Sequence, residues 1–474
     1  MPSLFGMHGK GEESEMNPRA DKNLLISPLE FGLATDYYEL TMAAAYFNSK
    51  QTDRRGIFEL FVRKLPRNRS YMVAAGLEQA LSYLNDIKFG DDMISFLEAD
   101  RSFEAVGDNF FEYLRDFRFT GDVWAVPEGS VLFPNEPLLR VEGPIIEAQI
   151  VETFLLSMIN FQSLIATKSS RITNVSGSRS VIEFGFRRAH GPQAALLGAR
   201  ASYIGGCIGT SNTLAGLKMG IPIFGTMAHS YVMNFEKEMD AFREFAKVFP
   251  DGMLLVDTYD TLEAVRKIVK SGLRTSGIRL DSGDLYLLSV KSREILDGAG
   301  YKDTKIMASG DLNEYIIHGL MQRGAPIDVF GVGTELATSR DDPAMNGVYK
   351  MVGVKEPTEG GMYHLIYKLK TSPGKKTYPG PKQVFRFYKD GLIQEDIIGL
   401  EEETFENSTK LLYKAMENGK IKTRLPSLEE ARDFHGTQRE TLPPDFRRID
   451  YVPTTFPVRY SDKLEQITRS FRAQ

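Results

Sequence analysis

Six short apolar runs in the middle of this chain each stop on a small or polar turn, and that rhythm limits the fold more than any other feature. The runs occupy residues 181–185 (VIEFG), 221–225 (IPIFG), 253–257 (MLLVD), 277–281 (GIRLD), 305–309 (KIMAS) and 327–331 (IDVFG). Between most of them lie stretches with helical spacing of apolar residues, at 234–249, 261–271, 285–297 and 313–323. Short buried strands alternating with amphipathic helices build βα units and a parallel sheet. So many units in succession favour a closed barrel, with an open doubly wound sheet as the second reading. In either case the polar strand ends share one rim, where loops and helix N-termini converge on ligands.

The flanks are less regular. Residues 36–48 are apolar at helical spacing, 56–62 read as a strand and 76–87 as a helix. Residues 121–147 carry short β-like runs cut by Pro127, Pro134, Pro137 and Pro144, and 150–159 read as an apolar helix leading into the next domain. After residue 345 the parallel rhythm ends. Residues 361–370 and 383–389 look like two strands of a hairpin around a Lys/Gly/Pro-rich loop, and the charged tail from Glu429 carries aromatics suited to packing on the first domain. The expected layout is a flexible tail at 1–25, an N-terminal α+β domain at 26–160, an irregular TIM-like βα barrel at 161–345, and a C-terminal β-rich hairpin and tail region at 346–474.

Composition narrows the function. A net charge of −5 over 474 residues gives no field for a nucleic acid or an acidic membrane, so any phosphate-bearing substrate must meet locally clustered cations. The single cysteine, Cys207, rules out an intrachain disulfide. The polar, Gly-rich start lacks the apolar core of a signal peptide, and no run of about 18 apolar residues appears. The expected setting is the cytosol, without a membrane partner. No HExxH, Walker A or CxxC sequence is present to support a zinc site or a P-loop ATPase.

The strand ends hold the candidate chemistry. Asp281-Ser282-Gly283-Asp284 pairs two carboxylates around a glycine, a pattern that holds a divalent cation or simply caps a helix. Ser309-Gly310-Asp311 and Gly331-Val332-Gly333-Thr334 are glycine-bearing turns whose backbone N–H groups suit phosphate or pyrophosphate, although such turns are common in α/β proteins. Arg187-Arg188 follow the first run, where guanidinium forks match phosphate or carboxylate; an isolated pair of this kind is ordinarily surface decoration. His229 lies four residues past the second run, in a chain with six histidines. It reads as a general base, a phosphoryl acceptor or a structural residue.

Taken in order, the segments resemble the nicotinate phosphoribosyltransferase family of the type II phosphoribosyltransferase group. The resemblance rests on Thr35-Asp36-Tyr37-Tyr38 with Met42, on Phe58-Glu59-Leu60-Phe61 with Ala74-Ala75-Gly76-Leu77, and on residues 183–191 (EFGFRRAHG). It continues through Gly209-Thr210-Ser211-Asn212, 225–230 (GTMAHS), Asp257-Thr258-Tyr259-Asp260, 279–285 (RLDSGDL), Ser309-Gly310-Asp311-Leu312 and 330–336 (FGVGTEL). Tyr367-Lys368-Leu369 and Lys376-Thr377-Tyr378-Pro379-Gly380 complete it, so it spans residues 35 to 380.

That resemblance implies transfer of the phosphoribosyl group of phosphoribosyl pyrophosphate to nicotinate, coupled to ATP hydrolysis and aided by Mg2+. It also implies a homodimer in which the barrel faces the N-terminal domain of the second subunit. His229 corresponds to the phosphorylated histidine, Tyr38, Thr226 and Arg279 to nicotinate-binding residues, and Thr377 to a contact of the phosphoribosyl donor. In the wider group Phe184 and Arg187 lie at the pyridine ring and the phosphate, with Asp257 and Asp281 near magnesium or the ribose. The Ser309, Gly310, Gly331 and Gly333 turns add phosphate-binding candidates. Both substrates are anions, so an acidic protein needs Arg187, Arg188, Arg279 and Lys375 or Lys376 around them. The nearest alternative is a nicotinamide phosphoribosyltransferase, which carries a carboxylate after the Gly-Thr where Ser211 and Asn212 stand here. Quinolinate phosphoribosyltransferases are shorter and lack the histidine segment. A catalytically silent nucleotide-binding relative is the reading from another class.

Overall fold

The computed structural model of the protein describes residues 26–372, 375–450 and 455–472. The tail expected at 1–25 lies outside these residues.

Six parallel strands form the centre, in the order Gly209–Thr210, Ser180–Glu183, Val329–Val332, Lys305–Ala308, Gly277–Leu280, Met253–Leu255. Helices Thr261–Ser271, Leu285–Gly298 and Glu314–Gln322 connect successive strands, as the sequence rhythm requires. Each has a side-chain cap at its start: Asp260, Asp284 and Asn313 accept backbone N–H bonds from the first turn. Residues 221–225, expected as a full strand, make a single bridge from Ile223 to Thr210. Pro222 lacks the N–H that a longer ladder needs. This arc ends beside residues 249–252, ahead of the Met253–Leu255 strand, with which Gly225 and Thr226 line a cleft. The result is an irregular, barrel-like α/β unit rather than a flat doubly wound sheet.

The N-terminal half packs helices, Ile145–Ile150 foremost, on a seven-stranded antiparallel sheet whose strands come from distant parts of the chain. Its order is Tyr363–Tyr367, Gly347–Pro357, Arg55–Val62, Pro137–Pro144, Asp122–Ala125, Tyr413–Glu417, Lys420–Ile421. The strand Arg55–Val62 is covered on both faces, with Ile57, Leu60 and Val62 fully buried. A four-stranded sheet built from Ser408–Lys410, Lys382–Lys389, Leu392–Leu400 and Val458–Tyr460 completes the C-terminal part.

Two expectations need correction. The strands at 363–367 and 382–389 are not partners in one hairpin. Tyr363–Tyr367 pairs back on Gly347–Pro357, and Lys382–Lys389 pairs forward on Leu392–Leu400. The second turn is Asp390-Gly391, both at positive φ (51° and 78°), and it outranks the long Lys/Gly/Pro-rich loop as a hairpin former. The charged tail also does not pack on the first domain alone: its helix Leu428–Glu440 lies against Pro192–Ile204 of the barrel unit as well.

The apolar helix expected at 150–159 is in fact Glu152–Val175, a buried 24-residue helix that runs through the boundary expected at 160/161. With Ile145–Ile150 it forms the one described stretch long and apolar enough to cross a membrane. Its buried face is polar where it meets other elements. Ser163 and Thr167 accept the backbone N–H groups of Ala75 and Val73, and Lys168 and Arg171 bind Glu314. Those contacts mark a core helix between the two halves.

The Glu314 cluster is the main ionic joint. Arg69 from the N-terminal half, Lys168 and Arg171 from the long helix, and Glu314 and Asp341 from the barrel unit meet there, all but the partly exposed Asp341 with side chains almost wholly excluded from water. Burial alone pushes both carboxyl groups up in pKa. The Lys168 ammonium and Arg171 outweigh it at Glu314, and the Arg69 guanidinium at Asp341, so both lie below the usual carboxylate range.

Candidate active site

The carboxyl ends of five parallel strands and the 221–225 arc bring residues from six separated segments to one rim. Arg279 stands at the end of Gly277–Leu280 with its side chain 13% exposed. Its Nε donates to Ser309 Oγ (2.8 Å), Nη1 to Thr226 Oγ1 (3.0 Å) and Nη2 to Asp281 Oδ1 (2.6 Å). A guanidinium has five N–H groups, so two remain for a ligand once these three are engaged. The guanidinium carbon lies 5.6 Å from the centre of the Phe184 ring.

Around this arginine the loops are tightly fitted. Ser309 Oγ also donates to Asp281 Oδ1 (2.5 Å). Gly310 has φ of 91°, and a Cβ there would stand 2.0 Å from the Asp281 carbonyl oxygen. Only glycine lets the 309–311 turn close on the 281 turn. Gly331 plays a similar part under Phe184, since a Cβ would meet the ring at 2.7 Å. The ring therefore approaches the Gly331 backbone closely and is itself only partly buried.

His229 opens the short helix His229–Met233 and is half exposed. Its Nδ1 is 3.1 Å from Thr258 Oγ1, and its Nε2 is 3.9 Å from Asp281 Oδ2. Asp281 thus sits between Arg279 and His229. Burial raises its carboxyl pKa, but the Ser309 hydroxyl, the Arg279 guanidinium and the His229 ring together bring it below the ordinary value. Asp257 accepts from the Asp281 N–H (3.0 Å) and the Ser282 hydroxyl (2.6 Å) through Oδ2. Its Oδ1 is buried with no partner among the described residues.

Sequence reading missed two positioning residues. Thr258 orients the histidine. Glu183 ties the Gly185 N–H to the Thr210 hydroxyl beneath the rim, and burial raises its pKa. A glutamate inside the otherwise apolar run at 181–185 was the available signal.

Three expected site residues stand apart from this cluster. Arg187 lies on the same rim, in the turn Phe186–Arg188, but is exposed and reaches no other described residue. Tyr38 lies on the N-terminal helix Tyr37–Asn48, about half exposed, with Glu39 and Glu152 as its charged neighbours. Thr377 is buried in a backbone pairing with Lys370 beside the N-terminal sheet.

Among the described residues no three His, Cys, Asp or Glu side chains gather as a metal-ligand set. Arg279 and Ser309 occupy Asp281 Oδ1, its Oδ2 faces His229, and Asp257 Oδ1 is the orphaned buried oxygen. One free carboxylate suits Mg2+ that arrives mainly on substrate phosphates, and does not suit a protein cage.

Comparison with known proteins gives a consistent result. The profile described as "Nicotinate phosphoribosyltransferase (NAPRTase) family" matches residues 180–356, and the N-terminal and C-terminal domain profiles of the same enzymes match 33–160 and 404–468. The nicotinate phosphoribosyltransferase pncB2 of Mycobacterium tuberculosis is 43% identical over 439 residues, covering 91% of this chain and 92% of that protein. The nicotinate phosphoribosyltransferase of Bacillus subtilis is 44% identical over 388 residues, covering 80% and 78%. The crystal structure of human nicotinic acid phosphoribosyltransferase superposes with a TM-score of 0.79 at 28% identity, covering 92% of this chain and 99% of the human one.

Proposed function

The chain belongs to the nicotinate phosphoribosyltransferase family, and we propose that it joins nicotinate to the phosphoribosyl group of 5-phosphoribosyl 1-pyrophosphate, releasing nicotinate mononucleotide and pyrophosphate, with ATP hydrolysis coupled through a phosphorylated His229. The observation that carries this reading is Arg279, held by three protein acceptors with two N–H groups left over beside the Phe184 face. Two parallel N–H groups match a carboxylate, and the ring face matches a pyridine. No carboxylate stands where the amide of nicotinamide would need one: Ser211 is exposed, and Asn212 caps the helix Thr213–Met219 by accepting from the Ala215 N–H.

The pyridine nitrogen attacks the anomeric carbon without losing a proton, so no general base is required. The protein's own task is orientation and charge. Arg279 and Phe184 fix the ring, the Ser309-Gly310 and Gly331–Gly333 turns and Arg187 receive phosphate oxygens, and Asp257 would hold Mg2+ through its orphaned Oδ1. Mg2+, when bound, offsets charge on the pyrophosphate leaving group. In the tautomer whose Nδ1–H donates to Thr258 Oγ1, His229 Nε2 carries the lone pair and accepts the γ-phosphoryl group of ATP as ADP leaves.

Tyr38 and Thr377 belong to this site through a second copy of the chain. Exposed apolar side chains on the N-terminal half (Leu29, Tyr37, Tyr38) and on the barrel rim (Phe186, Leu217, Phe224) support a homodimer that brings the two surfaces together. A monomer at micromolar concentration in sedimentation would remove that reading. The single cysteine, buried and unpaired, is compatible with a cytosolic enzyme.

The test is an assay with nicotinate, phosphoribosyl pyrophosphate, Mg2+ and ATP, following nicotinate mononucleotide. His229→Ala is expected to retain residual transfer and to lose all stimulation by ATP. Faster consumption of nicotinamide than of nicotinate would overturn the substrate reading; equal catalytic efficiency with and without ATP in the native enzyme would overturn the coupling.

A further inference from the structure

A second polar cavity, of about 490 Å³, lies at the opposite end of the barrel unit. Its walls are the turn at 176–180 that leads into Ser180–Glu183, the residues at 206–208 that lead into Gly209–Thr210, and the C-terminal helix Leu428–Glu440. Ser180 is four residues before Phe184, roughly 13 Å along an extended strand at about 3.3 Å per residue. The cavity is thus separate from the rim, yet built on the same strand.

Three arginines line it: Arg179 from the turn, and Arg432 and Arg439 from one face of the helix. Partly exposed themselves, they are held unlike several fully buried arginines of this protein. Arg200 pairs with Glu128, Arg386 with Asp396 and Arg69 with Asp341, each at 2.6–2.7 Å. Arg179 has only Asp328, at 3.9 Å. Arg432 and Arg439 have no carboxylate within ion-pair distance among the described residues. Arg432 stacks 5.0 Å over the Tyr203 ring, and Arg439 donates to Thr173 Oγ1 at 3.1 Å. The Nε atoms of all three are buried and without an acceptor among the described residues.

Buried donors with no acceptor are costly, and three like charges converging on one space repel each other. A multi-oxygen anion relieves both. Donor geometry and charge together select its class. Three guanidinium groups face two carboxylates, that of Asp433 on the cavity wall and that of Asp328 beside Arg179. His435 on the same wall adds no charge near neutral pH, because burial, reinforced by Arg439, lowers its pKa to about 4. The resulting net charge of about +1, carried on three guanidinium forks, favours a phosphate monoester, whose acceptor oxygens such forks match. The volume exceeds that of a bare phosphate and falls in the range of small-ligand sites, roughly 300–1,000 Å³. The Ser178 and Ser180 side chains on the wall add polar contacts for a sugar.

We infer that this cavity is a second ligand site, which binds a phosphorylated small molecule the size of a sugar phosphate or mononucleotide. It does not depend on the identity of the substrates at the rim. Equilibrium dialysis with labelled ribose 5-phosphate tests it directly. The native enzyme is expected to hold one equivalent per chain more than R432Q/R439Q, while transferase activity of the double variant without added ligand stays within twofold of native. R179Q, changed on a separate turn, is expected to weaken the same class of binding at least tenfold; it carries the test if the double variant does not fold. Equal uptake by native and variant proteins overturns the inference. Loss of one equivalent of inorganic phosphate, with no difference for ribose 5-phosphate, overturns the assignment to a phosphate ester.

Discussion

The candidate site on the rim and the ionic joint around Glu314 use the same residue types to opposite ends. At the joint, three cations and two carboxylates are spent on one another, and the side chains of Arg69, Lys168, Arg171 and Glu314 are 0–3% exposed. On the rim, Asp281 and His229 are 29% and 42% exposed, and Arg279 keeps two N–H groups unengaged. Closure is the difference. A cluster satisfied from within fixes two halves of a protein against each other. A cluster held in place but not fully satisfied is ready for a ligand. The two are linked through one short segment, because Ser309 and Gly310 stand on the rim and Asn313 and Glu314 lead into the joint.

The sharpest way to break this contrast is to remove one partner from the joint. Lys168→Met leaves Glu314 and Asp341 short of a cation in a buried place, and is expected to cost about 3–5 kcal/mol of stability in urea unfolding. The KM for nicotinate should stay within about twofold of native. A large KM change with little loss of stability would reverse the roles assigned to the two clusters.

Acid should act on both clusters in the same direction. Glu314, Asp341 and Asp281 all have folded pKa values below the ordinary carboxylate range. The stability they contribute is fully present above the unfolded value of about 4 and is lost as pH falls through their lowered folded values. Native protein should therefore lose stability steeply below about pH 4, with a shallower slope in Lys168→Met. An unchanged slope in that variant would separate the joint from the acid transition. The smallest effect belongs to the link: Asn313→Ala removes the cap that accepts from Tyr315 and Ile316, and is expected to cost about 1 kcal/mol, with a modest rise in KM. A loss as large as that of Lys168→Met would mean the cap, rather than the joint, holds the segment.

The rim was legible in the sequence because its residues sit at the ends of apolar runs, and strand ends in βα units converge by construction. Arg279, Asp281, Ser309 and Asp257 needed only that rule to be brought together. The N-terminal sheet was not legible, since its neighbours come from residues 55–62, 137–144, 347–357 and 413–417, and no local signal encodes such distant pairing. The long helix was underestimated for a different reason. Ser163, Thr167, Lys168 and Arg171 interrupt its apolar pattern, although all four are buried, each with a partner waiting on another element. The cavity of Arg179, Arg432 and Arg439 was equally hidden, because the tail helix that closes it lies some 250 residues from the turn it covers.

The most direct measurement is the ratio of kcat/KM for nicotinate to that for nicotinamide, in native enzyme and in Arg279→Gln. A charged hydrogen bond contributes about 1.5–3 kcal/mol, so the nicotinate KM should rise roughly 10- to 150-fold while nicotinamide changes little, and the preference for the acid should collapse. Retention of that preference in Arg279→Gln would contradict the assignment of the substrate carboxylate to the rim.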